Sequence, residues 1–118
     1  MDLLSDPFRK FLGCEVEEIR EGYARVKAVV REDFLNFYNV AHGAFIMALA
    51  DFAFAISANT DAKRMAINVT INFHTPAKAG DILRAEAEKI KGKRLAFYKL
   101  RIFKDSETIA EGSAIAYS

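Results

Sequence analysis

Residues 42–58 of this chain have the sequence HGAFIMALADFAFAISA, and this stretch predicts the centre of the fold. From Ala44 to Ala58 it is apolar except for Asp51 and Ser57, and it contains six alanines. Because a bilayer span needs about 20 apolar residues, the stretch predicts a buried helix and not a membrane helix. A helix that is apolar on nearly all sides must be covered by other elements.

Strands are predicted on both sides of this helix. Before it, Glu15–Arg20 and Tyr23–Val30 flank a turn at Glu21-Gly22. After it, apolar residues recur at every second position from Ile67 to Phe73, which is the period of a strand. Three more strands, separated by tight turns, are predicted at Ile82–Lys91, Leu95–Lys104 and Thr108–Tyr117.

One face of the last strands carries small side chains, which let a curved sheet approach a helix closely. They are Ala85, Ala87, Ala96, Ala110, Gly112, Ala114 and Ala116. We therefore predict an α+β fold, an antiparallel sheet wrapped around one central helix, in a single domain over residues 1–118. A short helix at Asp6–Leu12 is predicted to precede the sheet, because Asp6 can cap it, Pro7 suits its first position and Gly13 can end it.

The composition excludes several classes of function. The 17 basic and 16 acidic residues give a net charge of +1, which does not support a nucleic-acid partner. Cys14 is the single cysteine, and a lone thiol suits a reducing, cytoplasmic setting. The first 13 residues lack a charged segment followed by an apolar one, so no signal peptide is predicted. With two histidines and no clustered acids, no metal site is expected.

Asp51 is the strongest candidate for chemistry, because it is the one ionisable residue between Ala44 and Ala58. Burying an unpaired carboxylate is energetically costly and tends to raise its pKa. Selection for stability alone favours an apolar residue at such a position. A salt bridge or a hydrogen bond to neighbouring backbone is the alternative explanation.

The loop before the helix, Asn36-Phe-Tyr-Asn-Val-Ala-His-Gly-Ala44, places Gly43 at the helix N-terminus. Free N–H groups there, with the positive end of the helix dipole, can hold the oxyanion formed when water attacks a thioester carbonyl. Asp51 lies eight residues farther along, or roughly 12 Å at about 1.5 Å per residue, which is too far to act on the same carbonyl. A second copy with an antiparallel helix could bring its own Asp51 to Gly43, so we expect a site shared within a dimer.

These residues resemble the signature of hotdog-fold thioesterases, specifically the phenylacetate-degradation (PaaI-like) branch. The matching elements are Asn36, the six-residue step to His42, Gly43, and Leu49-Ala-Asp51 followed by Phe52-Ala-Phe-Ala55. The segment Phe73-His-Thr-Pro-Ala-Lys-Ala-Gly-Asp81 is similar to the next landmark of the family. The resemblance extends over roughly residues 15–116.

The resemblance implies an acyl-CoA substrate, with coenzyme A as part of that substrate and no separate cofactor. It implies that the Gly43 amide polarises the thioester carbonyl and that Asp51 of the partner chain is the general base or the nucleophile. Asn36 would hold the catalytic region or the attacking water, and His42 would position the loop. Dimers with a continuous sheet, commonly paired again into tetramers, are also implied.

Three positions depart from the family pattern. The family often has Gly-Gly after the histidine, whereas Ala44 stands second here and can narrow the pocket. Relatives often have Gly at the position of Asn39, and Asn is the next-best residue for a left-handed conformation. Some relatives use a Ser or Thr to steady the water where this chain has Ala66, so that role is assigned to no residue.

Several other residues are candidates for substrate binding. Lys93 and Arg94 lie at a predicted hairpin turn and could contact the phosphates of coenzyme A, although most such clusters are simply solvated. Phe34, Phe37 and Tyr38 border the motif and could line a pocket for an aromatic or medium-length acyl group, and packing in a dimer explains them equally well. His74 is expected to be an ordinary surface or interface histidine.

The sequence therefore predicts a cytoplasmic, homo-oligomeric acyl-CoA thioesterase. One alternative is a non-catalytic acyl-CoA binding module. Regulators with this fold usually carry an attached DNA-binding segment, and the first 12 residues are too short for one, so this alternative is disfavoured. Another is a hotdog hydratase or dehydratase, a class that usually pairs a histidine with an acid on a different spacing. Release of free thiol from an acyl-CoA distinguishes hydrolysis from both alternatives.

Overall fold

The computed structural model describes residues 2–118, which form a six-stranded sheet, two α-helices and one short 3₁₀ helix. The α-helices are α1, Pro7–Phe11, and α2, Gly43–Ala58, and the 3₁₀ helix is Glu32–Phe34. The strands are β1, Glu15–Arg20; β2, Tyr23–Val29; β3, Met65–Phe73; β4, Ile82–Gly92; β5, Leu95–Lys104; and β6, Glu107–Tyr117. Every predicted strand and helix is present. β3 begins two residues before the alternation that starts at Ile67, and the other ends differ from the predicted ones by at most one residue.

The sheet is antiparallel throughout, and its strand order is β1-β2-β4-β5-β6-β3. The last three strands in sequence are neighbours in the sheet, so the predicted meander is confirmed. β3 does not pair with the strand that precedes it or the strand that follows it, but runs along β6, with Thr70 opposite Ser113. This pairing leaves β1 and β3 as the edges of the sheet.

Helix α2 packs against β2, β4 and β5, and ten of its 16 residues are buried. The alanines of the predicted small-residue face are at most 1% exposed, and they are Ala85, Ala87, Ala96, Ala110, Ala114 and Ala116. Small side chains therefore let the sheet curve closely over the helix. The predicted α+β arrangement, an antiparallel sheet around one central helix, is confirmed.

Gly112 lies on the same face of β6, and a second constraint requires glycine at this position. A Cβ atom built on Gly112 would lie 1.8 Å from the carbonyl oxygen of Thr70 on β3 and 3.0 Å from the Cα of Ile71. No side chain fits into that space, so the close approach of β3 to β6 requires glycine at this position.

The short helix α1 lies against α2 and is capped as predicted. The side chain of Asp6 accepts hydrogen bonds from the N–H groups of Phe8 and Arg9, and Gly13 has φ = 69° just after the helix. The ring of Phe8 meets the ring of Phe52 on α2 edge-on, with 5.7 Å between the centroids. α1 thereby covers part of the α2 surface that the sheet leaves open.

Two loops meet at the start of α2. The N–H of Ala41 donates to the carbonyl of Ala77, and the N–H of His42 donates to the carbonyl of Phe34. Ala77 is completely buried, so the loop after β3 is fixed against the segment that enters the helix. Within residues 2–118, no helix combines the length and the apolar character needed to cross a membrane.

Candidate active site

The first turn of α2 presents an unused hydrogen-bond donor. His42 is the N-cap, with φ = −63° and ψ = 139°, and its Nδ1 accepts from the N–H of Ala44 at 2.9 Å. The N–H of Gly43 has no acceptor within residues 2–118. Helix N-termini carry partial positive charge, so this amide can bind a carbonyl oxygen on which negative charge develops.

Asn36 orders the loop that leads to the helix. Its Oδ1 accepts from the N–H groups of Tyr38 at 2.9 Å and Val40 at 3.4 Å. Asn39 has φ = 61°, so the left-handed conformation expected from the sequence is present. Because the Nδ2 group of Asn36 donates to no atom of residues 2–118, both of its hydrogens are available to a ligand or a water.

Asn36 and Gly43 line one cavity of about 300 Å³, together with Phe73, His74 and other residues of the two loops. The Phe73 ring packs against Gly43, since a Cβ atom on Gly43 would lie 3.3 Å from the tip of that ring. The structure thus brings together two of the four residues predicted to be catalytic. We call this space the polar cavity after the amide, imidazole and hydroxyl side chains of Asn36, His74 and Thr75, although the larger part of its wall is apolar.

The sequence does not indicate that His74 and Phe73 line this cavity. His74 Nε2 lies 2.7 Å from Oε2 of Glu111 on β6, and both side chains are about half exposed. The one sequence feature that points to this cavity is that Phe73 and His74 come just before Thr75-Pro76, in the loop that packs on the start of α2. That packing joins segments more than 30 residues apart, so local patterns do not reveal it.

His42 lines a second cavity, of about 220 Å³, on the other side of the first turn of α2. We call this space the apolar cavity, because its wall is mostly aromatic and aliphatic. Phe34 belongs to this wall, is buried, and stacks on Phe45 with 4.4 Å between the ring centroids. Phe37 and Tyr38 do not line either cavity and are 88% and 74% exposed, and their rings contact each other at a tilt of 38°.

Asp51 is half-buried on the strip of α2 that neither the sheet nor α1 covers fully. Its neighbours on that strip are Ala44, Met47, Ala48 and Ala55. Burial raises the pKa of the Asp51 carboxyl, and the negative charge of Asp6 on α1 raises it further. Within residues 2–118 the carboxyl group has neither a hydrogen bond nor a salt bridge. The single chain therefore does not support the alternative in which Asp51 is present to bond a residue of its own chain.

Gly43 and Asp51 of one chain do not meet. They are eight residues apart on α2, or roughly 12 Å at about 1.5 Å per residue, and Asp51 lines neither cavity. The spacing predicted from the sequence is therefore retained in the structure. A site that uses both groups on one carbonyl needs a second chain.

Lys93 and Arg94 lie at the other end of α2. The carbonyl of Lys93 accepts two hydrogen bonds from the guanidinium of Arg64, which also donates to the carbonyl of Ala58. Both side chains are exposed. Fifteen residues separate Ala58 from Gly43, about 22 Å along the helix, so one chain does not bring these cations to the Gly43 amide.

Other reactive groups are poorly placed for chemistry. Burial raises the pKa of the Cys14 thiol to about 12, so the thiol stays protonated at neutral pH. No group of three or more His, Cys, Asp and Glu side chains within residues 2–118 is arranged to hold a metal ion.

Comparison with known proteins gives consistent matches. The model of the thioesterase superfamily matches residues 38–111. A protein of Archaeoglobus fulgidus is 38% identical over 100 residues, which are 83% of this chain and 65% of that protein. Acyl-coenzyme A thioesterase PaaI of Escherichia coli is 35% identical over 100 residues, which are 83% of this chain and 71% of that protein.

A similarity of structure extends over nearly the whole chain. The phenylacetic acid degradation protein PaaI of Thermus thermophilus superposes with a TM-score of 0.93 at 32% identity, covering 95% of this chain and 98% of that one. PaaI of Escherichia coli superposes with a TM-score of 0.92 at 32% identity, covering 97% of this chain and 85% of that one.

Proposed function

This chain belongs to the thioesterase superfamily, and on that premise we propose that it hydrolyses an acyl-CoA to a free acid and coenzyme A, at a site shared between two copies of the chain. The membership confirms the predicted hotdog thioesterase family and the predicted class of thioester hydrolase. The observation that carries the proposal is the free N–H of Gly43, which shares the polar cavity with the amide of Asn36.

The Gly43 amide is the hydrogen-bond donor that stabilises the oxyanion in the proposed site. When water attacks the thioester carbon, the carbonyl oxygen becomes negative and receives the hydrogen bond from Gly43, at the positive end of α2. Collapse of the tetrahedral intermediate then expels the thiolate of coenzyme A. Removing one such donor costs about 10²- to 10³-fold in turnover in other enzymes.

Asp51 of the neighbouring chain is the proposed base or nucleophile. As a base it takes the proton of the attacking water; as a nucleophile it attacks the carbonyl carbon, and water hydrolyses the resulting anhydride. Asp51 is half-buried on the uncovered strip of α2 and bonds to no group within residues 2–118. These properties suit a residue that faces a second chain. We propose that the amide of Asn36 holds the water and that His42 fixes the turn that presents Gly43; the hydrogen bonds of both side chains to the loop backbone support this.

The sheet edge supports pairing with a second copy. Among residues 2–118 no strand lies on the outer side of β3, and Met65, Ile67 and Phe73 on it are 77%, 60% and 55% exposed. Long apolar edges are prone to pair with another strand, because their backbone N–H and C=O groups are free. We propose that two chains join at β3 into a continuous sheet, and that such dimers pair again into a tetramer.

The remaining features of the proposal concern the outer part of the substrate. Phe37 and Tyr38 form an exposed aromatic pair beside the site, and we propose that they contact the substrate. Lys93 and Arg94 are proposed to contact the phosphates of coenzyme A from the chain that supplies Asp51. The net charge of +1 offers no broad basic surface for nucleic acid, and a reducing cytoplasm is the proposed location.

The His74–Glu111 pair favours one alternative, a hydratase or dehydratase, because an acid-oriented histidine lines the polar cavity. Its product would be an enoyl-CoA or its hydrated form, with the thioester intact. A non-catalytic acyl-CoA binding module would release neither product. Following free thiol and enoyl absorbance in one reaction with each acyl-CoA therefore separates all three functions.

The decisive variant is Asp51→Asn, which keeps the size of the side chain and removes its charge and basicity. We expect thiol release to fall at least ~100-fold, the lower end for loss of a general base, with the oligomer unchanged in gel filtration. Asp105→Asn is the matched control, since Asp105 lies in an exposed turn with φ = 53°, a conformation that asparagine tolerates. Near-normal turnover by Asp51→Asn would rule out the proposed chemistry.

A further inference from the structure

The outer face of the sheet, which points away from α2, carries an apolar area at one end. Leu95 and Phe97 alternate with fully buried residues of β5, so their side chains point outward. On β6, Tyr117 lies opposite Leu95, and Ile115 lies opposite Phe97. Leu95 and Tyr117 are 42% and 48% exposed. Because facing residues of paired strands are in contact, these four side chains form one apolar surface beside the turn between β4 and β5.

Three cations surround this surface. Nζ of Lys91 lies 5.4 Å from the ring centroid of Phe97, and the guanidinium carbon of Arg94 lies 5.7 Å from that of Tyr117. Both distances are in the range of a cation–π contact. Lys93 is exposed in the turn that joins β4 and β5. We call these five residues the hairpin patch, and within residues 2–118 none of its cations has a salt bridge.

The hairpin patch differs from the rest of the outer face. Farther along β4 and β5, charges of opposite sign face each other, with Glu86 opposite Arg101 and Glu88 opposite Lys99. Such pairs are an ordinary feature of a solvated sheet. By contrast, no cation of the hairpin patch lies opposite an acidic residue in the described strand pairings. Its positive charge is therefore available to an anionic ligand.

A nucleotide has the chemistry that this combination of side chains fits. A base offers a flat π-face, which stacks on aromatic rings and on arginine, and its stacking tolerates any base. The phosphates are anions, which lysine and arginine bind with charge-assisted hydrogen bonds. The far end of coenzyme A is an adenosine that carries phosphates. An acyl-CoA therefore presents the ligand class that the hairpin patch suits.

The hairpin patch lies within reach of the proposed site. It belongs to the end of the sheet at which α2 stops, since Arg64 donates to the carbonyls of both Ala58 and Lys93. Asp51 lies seven residues before Ala58, or roughly 10 Å at about 1.5 Å per residue. The arm of coenzyme A from sulfur to the first phosphate has about 12 bonds, equal to roughly four residues of extended backbone or roughly 14 Å. A thioester beside Asp51 therefore places its phosphates near the turn.

We propose that the hairpin patch binds the adenosine bisphosphate end of coenzyme A, with its aromatic rings under the base and its three cations on the phosphates. The patch belongs to the chain that supplies Asp51. The inference rests on the proposed thioesterase function and adds a choice among thioester carriers, because thioesters without the nucleotide lose these contacts. Pairing of two chains at β3 extends the sheet sideways and leaves its outer face open.

The test compares a thioester that carries the nucleotide with one that lacks it. kcat and KM are measured for the best acyl-CoA substrate and for acyl-pantetheine with the same acyl group. Tyr117→Ala is expected to raise KM for the acyl-CoA about 10-fold, the scale for loss of one stacked base, with kcat unchanged. The values for acyl-pantetheine should stay those of the parent chain. Tyr117→Phe keeps the ring and should restore the parent KM, and Lys91→Ala should raise KM for the acyl-CoA alone.

Two residues of the outer face provide matched controls. Phe103→Ala removes a ring near the opposite end of β5 that also has an arginine over it, since the guanidinium carbon of Arg101 lies 4.5 Å from its centroid. Lys99→Ala removes the same charge as Lys91→Ala from another exposed position of β5. Both controls should keep the parent ratio of the two KM values. An equal effect of Tyr117→Ala on both substrates, or a changed elution volume in gel filtration, would overturn the inference.

The proposed function and the nucleotide site can fail separately. Calorimetric titration with adenosine 3′,5′-bisphosphate is expected to show binding to the parent and Phe103→Ala chains, and about 10-fold weaker binding to Tyr117→Ala. If the parent binds in this way but releases no thiol, the thioesterase proposal is wrong and the nucleotide site stands. If the parent releases thiol but does not bind the bisphosphate, the inference is wrong and the function stands. Tighter binding of a short oligoadenylate would assign the patch to nucleic acid and also contradict the inference.

Discussion

The carboxyl group of Asp51 combines a stability penalty with a chemical advantage. Burial and the charge of Asp6 both disfavour its ionised form and raise its pKa. A carboxylate with a raised pKa holds a proton more tightly, so it is a stronger base once ionised. The same environment that makes the residue unfavourable for folding therefore suits it for taking a proton from water.

This environment predicts a pH dependence. Asp51 must be ionised to act as base or nucleophile, so kcat/KM rises with pH through the pKa of Asp51, and that pKa lies above the ordinary value. Asp6→Asn removes one negative charge but retains the cap of α1, because Asn caps helices as well as Asp does. The acid limb of the pH–rate profile is expected to move to lower pH in this variant.

Asp2→Asn provides the control for this experiment, because it removes an equal charge from the same segment and Asp2 does not contribute to the pKa shift of Asp51. Its profile should overlay that of the parent chain. Raising the salt concentration should also move the acid limb of the parent chain to lower pH, because salt screens the repulsion between Asp6 and Asp51. The acid limb of Asp6→Asn should stay where it is. An acid limb that Asp6→Asn does not move would show that the charge of Asp6 does not act on catalysis.

A second prediction concerns Ser57, which is fully buried in α2 and whose Oγ has no partner within residues 2–118. Ser57→Ala removes an unsatisfied polar atom and adds helix propensity, so the free energy of unfolding in urea is expected to rise by about 1 kcal/mol. Thr60→Val should have the opposite effect, because the Thr60 hydroxyl accepts from the N–H of Gly22 and donates to the carbonyl of Ser57. Destabilisation by Ser57→Ala would indicate that a bound water satisfies the hydroxyl.

Secondary structure was predictable because each element carries its own local signal. Alternation from Ile67 to Phe73 gave β3, and the apolar run after Gly43 gave α2. The position of β3 beside β6 was not predictable, because strand order depends on contacts between distant segments. The structural role of Arg64, which the sequence suggests only as a weak candidate for phosphate contact, was not predictable for the same reason: it is buried and joins the end of α2 to the turn at Lys93, 29 residues away.

At the level of elements, the junction of β3 and β6 depends on Gly112. A methyl group there would lie 1.8 Å from the carbonyl oxygen of Thr70, so Gly112→Ala must push the two strands apart. We expect the free energy of unfolding to fall by about 3 kcal/mol or more, measured by urea denaturation. Ser113→Ala, at the next and exposed position of β6, is the control and should change stability little. Full stability of Gly112→Ala would mean that the strands can separate without loss of pairing.

The whole molecule decides what the candidate site can do. The sequence indicated Asn36, His42, Gly43 and Asp51 from their types and spacing, and the structure assembles the first three around the start of α2. It leaves Asp51 of the same chain roughly 12 Å away along the helix. Neither His74 nor Phe8 was predictable as a wall of a cavity, since each reaches α2 only through the packing of a distant segment.

The distance between Gly43 and Asp51 leads to a test of sharing between chains. Gly43→Pro removes the N–H, and the helix should tolerate it, because proline suits the first helical position and His42 already has the extended ψ of 139° that a following proline requires. This variant is expected to lose about 10²- to 10³-fold in thiol release. Gly43→Ala brings a Cβ atom as near to Phe73 but keeps the N–H, so it should lose far less activity.

Complementation then follows from symmetry. Chains with Gly43→Pro and chains with Asp51→Asn are each nearly inactive, yet a dimer containing one of each has one site in which an intact Gly43 faces an intact Asp51. In an equal mixture of co-expressed chains, half of the dimers are mixed and half of their sites are intact, so about a quarter of the parent activity should return. Two different affinity tags would isolate the mixed dimer, with half of the parent activity expected. If both groups acted within one chain, no mixed dimer would contain a complete site, and its activity would stay at the level of the two variants.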